Sequence, residues 1–227
     1  MWSFRSTGTP SVRVLMLQFE YHDVWGLNEM MDQVRVAFWR KNFEVIDYRI
    51  PMDDSCLHLS RELKSFLKLG DAKTVLIIYY SGHGGRSSDE LQLASHSSDE
   101  GATISWVAIR DQILSAERDV GIILDCCNAG AGAVPRTTIE QTRFHGHPKE
   151  VIAASSWSES TTGRMSTALI TVLDNWNPNM GDSLSMETLY ERIVVLLAQE
   201  NSVSQPVRSR FHDSSMGKVR LFYLRRP

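Results

Sequence analysis

The stretch Gly121-Ile122-Ile123-Leu124-Asp125-Cys126-Cys127-Asn128-Ala129-Gly130 decides how this chain is read. A short apolar run feeds an acidic residue, two adjacent cysteines, a small polar residue and a small-residue turn. The run 120–124 is apolar without alternation and too short for a helix, which predicts a fully buried strand. Open α/β sheets place their ligands just beyond the carboxyl ends of such strands. The cysteine pair is therefore expected at the lip of a sheet, where Ala129-Gly130-Ala131-Gly132 lets the backbone turn tightly.

A second stretch has the same grammar. Thr74-Val75-Leu76-Ile77-Ile78-Tyr79-Tyr80 is another buried-strand run, and it empties into Ser81-Gly82-His83-Gly84-Gly85. If the two strands are parallel neighbours, His83 and the cysteines emerge at one sheet edge. The 44 positions from His83 to Cys127 leave room for the crossover that a parallel pair needs. A thiol with a pKa of about 8.5 is mostly protonated at neutral pH. An adjacent imidazole takes that proton or stabilises the thiolate, which makes the sulfur a usable nucleophile. Neighbouring side chains on extended backbone point to opposite faces, so at most one of Cys126 and Cys127 faces His83. The other packs as a small hydrophobe. Cys56 has no motif around it.

Outward from these two exits, the chain alternates strand and helix. Residues 12–19 read as the first strand, and the loop 20–26 opens a helix over 27–41 with Leu27, Met30, Met31, Val34, Phe38 and Trp39 on one face. A second strand over 43–50 ends at Pro51, and a helix over 57–69 stops at Gly70. Leu91 and Leu93 hint at a short ribbon, and Ser105 is a good N-cap for a helix over 106–116. This order predicts a doubly wound parallel sheet. Residues 130–149 read as a surface loop, 150–155 as a further buried strand and 165–176 as a helix. Ser185 caps a last apolar helix through Leu197. Gln205-Pro206 breaks the chain, and 219–224 is expected to close the sheet as an edge strand.

The 227 residues, 42% of them hydrophobic, suit one domain with a substantial core. A formal charge of −3 with no block of like charges argues against nucleic acid and anionic membrane as partners. No apolar run approaches the roughly 18 residues of a membrane span, and the first ten residues lack the apolar core of a signal peptide. Three cysteines, two of them adjacent, cannot form a disulfide framework, so a reducing, cytoplasmic setting is expected. His145 and His147 have no cysteine or carboxylate partner at ligand spacing, and no metal site is read there.

Together, Tyr79-Tyr80-Ser81-Gly82-His83-Gly84 and Leu124-Asp125-Cys126-Cys127-Asn128-Ala129-Gly130 resemble the caspase and metacaspase superfamily of cysteine peptidases, closest to its metacaspase-like and fungal branch. The resemblance implies a caspase-like three-layer α/β sandwich, with helices flanking a mostly parallel central sheet. It divides a single domain into a large-subunit-like part over 1–130, a linker over 131–149 and a small-subunit-like part over 150–227. It also implies a cysteine endopeptidase with a Cys-His dyad. Cys127 is then the nucleophile, His83 the general base and acid, and the backbone N–H groups of Gly84 and Cys127 the oxyanion donors.

In this family, acidic and hydroxyl side chains line the primary specificity pocket. The matching positions here are Asp125 and Ser81, with Asp32 in the first helix at a spacing one residue shorter than the family's. Such a pocket binds Arg or Lys, and the fork of Arg fits carboxylates best. Asp125 equally fits a strand-end cap, and Asp32 a solvated helix position. Ser156 and Trp157 follow a strand exit where the family places substrate contacts. The resemblance further implies a zymogen with a role in cell death, cut between its two parts, for which Arg136, Arg143 and Lys149 are candidate sites. It implies activation by Ca²⁺, with Asp89-Glu90 and Asp99-Glu100 as a compatible acidic cluster. Whether the chain is monomeric or dimeric stays open. The rival reading is a non-catalytic caspase-fold interaction module; a legumain- or separase-like peptidase is a further one.

Overall fold

A computed structural model describes residues 11–98, 101–133, 146–155, 163–177, 183–200, 205–211 and 218–221. Its backbone begins with β1 (Val12–Phe19), α1 (Leu27–Trp39), β2 (Glu44–Ile50), α2 (Ser55–Phe66) and β3 (Val75–Ser81). A small antiparallel sheet follows, made of β4 (His83–Ser87), β5 (Glu90–Ala94) and β6 (Thr103–Ser105). The chain then forms α3 (Trp106–Leu114), β7 (Asp119–Asp125), a short α4 (Gly130–Ala133) and β8 (Lys149–Ala153). It ends with α5 (Arg164–Asn175), α6 (Met186–Gln199) and β9 (Val207–Arg210).

The six-stranded main sheet has the order β2-β1-β3-β7-β8-β9. Its first five strands are parallel, and β9 runs antiparallel to β8. Every side chain of β3 is buried, because helices cover both faces of the sheet. On one face Met31, Val34 and Phe38 of α1 join Leu169 of α5 and Leu189 and Ile193 of α6. On the other, Leu59 and Leu63 of α2 pack with Ile109 and Ile113 of α3. This is the three-layer α/β sandwich expected from the sequence, with a mostly parallel centre.

Two local expectations need correction. The edge strand is β9, whereas Val219 and Leu221 pair with residues 184–186 at the start of α6. The 222–224 part of that expectation lies outside the described residues. Ser105 does precede α3, but its hydroxyl donates to Glu90 at 3.1 Å and makes no side-chain cap hydrogen bond to that helix. Ser185 does cap α6, accepting from the Thr188 N–H at 3.1 Å.

The β8–β9 edge is held by charge as well as by backbone pairing. Glu150 is fully buried; its carboxylate accepts from Arg208 Nε at 2.8 Å and from the Val219 N–H at 2.8 Å. Removing one partner of a buried ion pair leaves an uncompensated charge, which costs about 3–5 kcal/mol. Arg208→Ala is therefore expected to lower the urea-unfolding free energy by about that amount. A change below about 1 kcal/mol would show that the network is not needed to hold this edge.

Candidate active site

The parallel register pairs Ser81 of β3 with Asp125 of β7. His83 and Cys127 each lie two residues beyond that pair, so the sheet delivers them to the same edge. There the two exits are pinned together. Asn128 takes a left-handed backbone conformation (φ 56°), which Asn tolerates better than most residues. From it the side-chain Nδ2 donates to the Gly84 carbonyl at 3.0 Å. Ser155, at the end of β8 and fully buried, closes the turn from beneath. Its Oγ donates to the Cys126 carbonyl and accepts from the Ala129 N–H, both at 3.3 Å.

The two cysteines differ as alternation requires. Cys126 is fully buried, and burial, then Asp125 and Cys127, push its thiol well above the ordinary range. Cys127 is only half-buried. Of the pair, Cys127 alone has access to a substrate.

The first two of the acidic and hydroxyl side chains read from the sequence are brought together beneath Cys127. Ser81 and Asp125 are both buried. The β3–β7 ladder sets them side by side, and Tyr79 hydrogen-bonds to Ser166 Oγ at 2.6 Å. Ser166, at the start of α5, donates to one Asp125 oxygen through its hydroxyl and, at 3.2 Å, through its N–H. The other oxygen, Asp125 Oδ1, is buried with no hydrogen-bond partner among the described residues. Burial raises the Asp125 pKa, and the two Ser166 bonds only partly oppose it.

Asp32 is placed elsewhere. It sits on the exposed face of α1, with its carboxylate held by Arg35 at 2.7 Å and not by the Ser81–Asp125 group. Its helix-surface position puts Arg35 one turn away, and the ion pair turns it outward. Lys149 is also differently placed. As the first residue of β8 it is buried, with its ammonium donating to the His147 carbonyl at 2.8 Å, so this backbone offers no accessible cleavage site. Burial lowers its pKa to about 8, against the opposing charge of Asp119. Ser156, Trp157, Arg136 and Arg143 lie outside the described residues.

Only part of the acidic cluster read for Ca²⁺ falls among the described residues. Asp89 is ion-paired with Arg86 at 3.0 Å and Glu90 accepts from Ser105, while Asp99 and Glu100 lie outside the described residues. His147 bonds to Asp119 at 3.1 Å. Among the described residues, no three histidines, cysteines or carboxylates are grouped to hold a metal ion, and no helix is long and apolar enough to cross a membrane.

One site residue escaped the sequence reading. Asp23, in the loop leaving β1, reaches His83 Nε2 at 2.5 Å. Its other oxygen accepts from Ser97 Oγ at 2.9 Å and from the Ser97 N–H at 3.3 Å. No local pattern marks it, since its partners are 60 and 74 residues away in sequence.

Two tests follow from this geometry. A Cβ on Gly84 would lie 2.0 Å from the Cys127 carbonyl oxygen, a backbone atom that cannot step aside, whereas one on Gly85 would meet only Gln92 Cβ at 3.9 Å. Gly84→Ala is expected to lose about 1–3 kcal/mol in urea unfolding and Gly85→Ala less than about 0.5 kcal/mol. Equal effects would contradict the close approach.

The second test concerns Asp125. Because its folded pKa is raised, folding favours the protonated carboxyl. That contribution is complete below the ordinary value of 3.8 and is lost as pH rises through the folded value. Asp125→Asn has no proton to lose. It is expected to gain stability relative to the parent as pH rises above the ordinary carboxylate value, and a gap that stays constant would contradict a raised pKa.

Comparison with known proteins supports the fold alone. The structure resembles caspase-1 from Spodoptera frugiperda with a TM-score of 0.61 and 11% identity, covering 89% of this chain and 87% of that one. It resembles the Drosophila initiator caspase Dronc with a TM-score of 0.60 and 11% identity, covering 87% and 78%. No family model and no curated protein sequence matches the chain. The chain has a caspase-like fold.

Proposed function

We propose that this protein is a cysteine endopeptidase that cleaves after Arg or Lys. The observation that carries the reading is the shared sheet edge, where His83 and the accessible Cys127 each follow the Ser81–Asp125 pair by two residues. In the proposed reaction, the Cys127 thiol gives its proton to His83, and the sulfur attacks the scissile carbonyl carbon. The Gly84 and Cys127 N–H groups stabilise the oxyanion. His83 then protonates the leaving amine, a thioester remains on Cys127, and water releases the acid product.

The preference for a basic side chain rests on Asp125 Oδ1, a buried acceptor without a partner among the described residues. A guanidinium is a natural complement, since it brings several donors and a charge that favours the ionised carboxylate. The loop carrying Asp23 also exposes Tyr21 and, at 98%, Trp25, an aromatic surface suited to an extended peptide.

Fluorogenic peptides ending in Arg, Lys, Asp or Asn, assayed with and without Ca²⁺ beside Cys127→Ala, test the reading. The expected result is turnover after Arg and Lys, abolished in the variant. Turnover after Asp would overturn the acidic pocket. No turnover by a folded, processed chain would favour a caspase-fold interaction module.

A further inference from the structure

We propose that Asp23 is a positioning residue that completes the dyad into a Cys127–His83–Asp23 relay, fixing which imidazole nitrogen faces the thiol. The inference rests on the endopeptidase reading and adds to it a group that the sequence did not reveal. Three adjacent parallel strands, β1, β3 and β7, carry these residues at their carboxyl ends in spatial order. Asp23 follows β1, His83 follows β3 and Cys127 follows β7.

The contacts fix the protonation pattern. Partial desolvation raises the Asp23 pKa, but hydrogen bonds from the Ser97 side chain and backbone and from His83 outweigh it and hold the carboxyl at about 2. Asp23 is thus an acceptor-only carboxylate at neutral pH, and His83 Nε2 must carry the hydrogen of the bond between them. Nδ1 is then the nitrogen left to accept the Cys127 proton. When it does so, the imidazolium forms beside a carboxylate that keeps its own proton count, and the charge is stabilised without a second transfer.

Asp23 is itself anchored. Ser97 binds the Asp23 oxygen that His83 does not use, which fixes the plane of the carboxylate. The other titratable side chains of this edge are engaged elsewhere. His22 bonds to Asn28 at 3.4 Å, His96 to Ser95 at 2.8 Å, and Asp125 to Ser166 within the core. Asp23 is therefore the carboxylate that sets the charge environment of His83.

The test compares Asp23→Asn, Asp23→Ala and the parent by the pH profile of kcat/KM and by NMR titration of the ¹⁵N-labelled His83 ring. The NMR readout needs no turnover, so it stands even if the peptidase reading fails. In the parent, the neutral ring is expected as the Nε2–H tautomer. Asp23→Asn keeps an acceptor but its amide also offers a donor to Nε2, so an Nδ1–H population of the neutral His83 ring should appear and kcat/KM should fall. Asp23→Ala should lose roughly tenfold or more in kcat, with KM within about twofold. An Nδ1–H tautomer in the parent, or an unchanged tautomer population in folded Asp23→Asn, would overturn the proposal. So would unchanged kcat in a folded Asp23→Ala that still cleaves peptide.

Discussion

Everything at the candidate site depends on the parallel register of β1, β3 and β7. Parallel strands share a direction, so their carboxyl ends emerge together, and pairing Ser81 with Asp125 brings the next residues of both chains to one level. His83 and Cys127 lie 44 positions apart in sequence, yet the ladder brings them to one edge. Close backbone approach then locks the arrangement. Asn128 bonds to the Gly84 carbonyl, and the space at Gly84 leaves no room for a Cβ against Cys127.

Two carboxylates flank this edge in opposite environments, and their chemistry diverges accordingly. Asp125 is buried within the sheet, two donors from Ser166 satisfy one oxygen, and desolvation pushes its pKa up. Asp23 stands in a loop with 41% of its side chain exposed, and three donors pull its pKa down. The buried group is suited to wait for a cation from a ligand. The exposed one already has its partner in His83. Carboxylates separated by environment in this way can serve binding and proton management at the same edge.

Much of this was legible in the sequence, for physical reasons. Continuous apolar runs at 75–80 and 120–124 have few ways to be satisfied other than as central strands, and the polar residues after them had to be the exits. Alternation allowed only one of Cys126 and Cys127 to face His83, and the family resemblance pointed to Cys127. What was not legible depended on long-range pairing. Asp23 has no pattern because its role is set by two partners far along the chain. β9 was missed because Val207-Arg208-Ser209-Arg210 is polar, and its arginines are accommodated at the edge by ion pairs with Glu150 and Glu187. Residues 219–221 were assigned to the sheet edge for their apolarity, but that apolarity is used against residues 184–186. Asp32 was placed by family spacing alone, and its Arg35 neighbour turns it to solvent.

The central claim is that the sheet edge couples the Cys127 thiol to the His83 imidazole, and it is tested most directly by alkylation. The rate of Cys127 modification by iodoacetamide, followed by mass spectrometry at about pH 6.5, reads the thiolate directly, since an uncoupled thiol is only about 1% ionised there. The account expects Cys127 to react well above the exposed Cys56, Cys126 to stay protected, and His83→Ala to slow Cys127 roughly tenfold or more. A Cys127 rate equal to that of Cys56, and unchanged in a folded His83→Ala, would contradict the coupling on which the account rests.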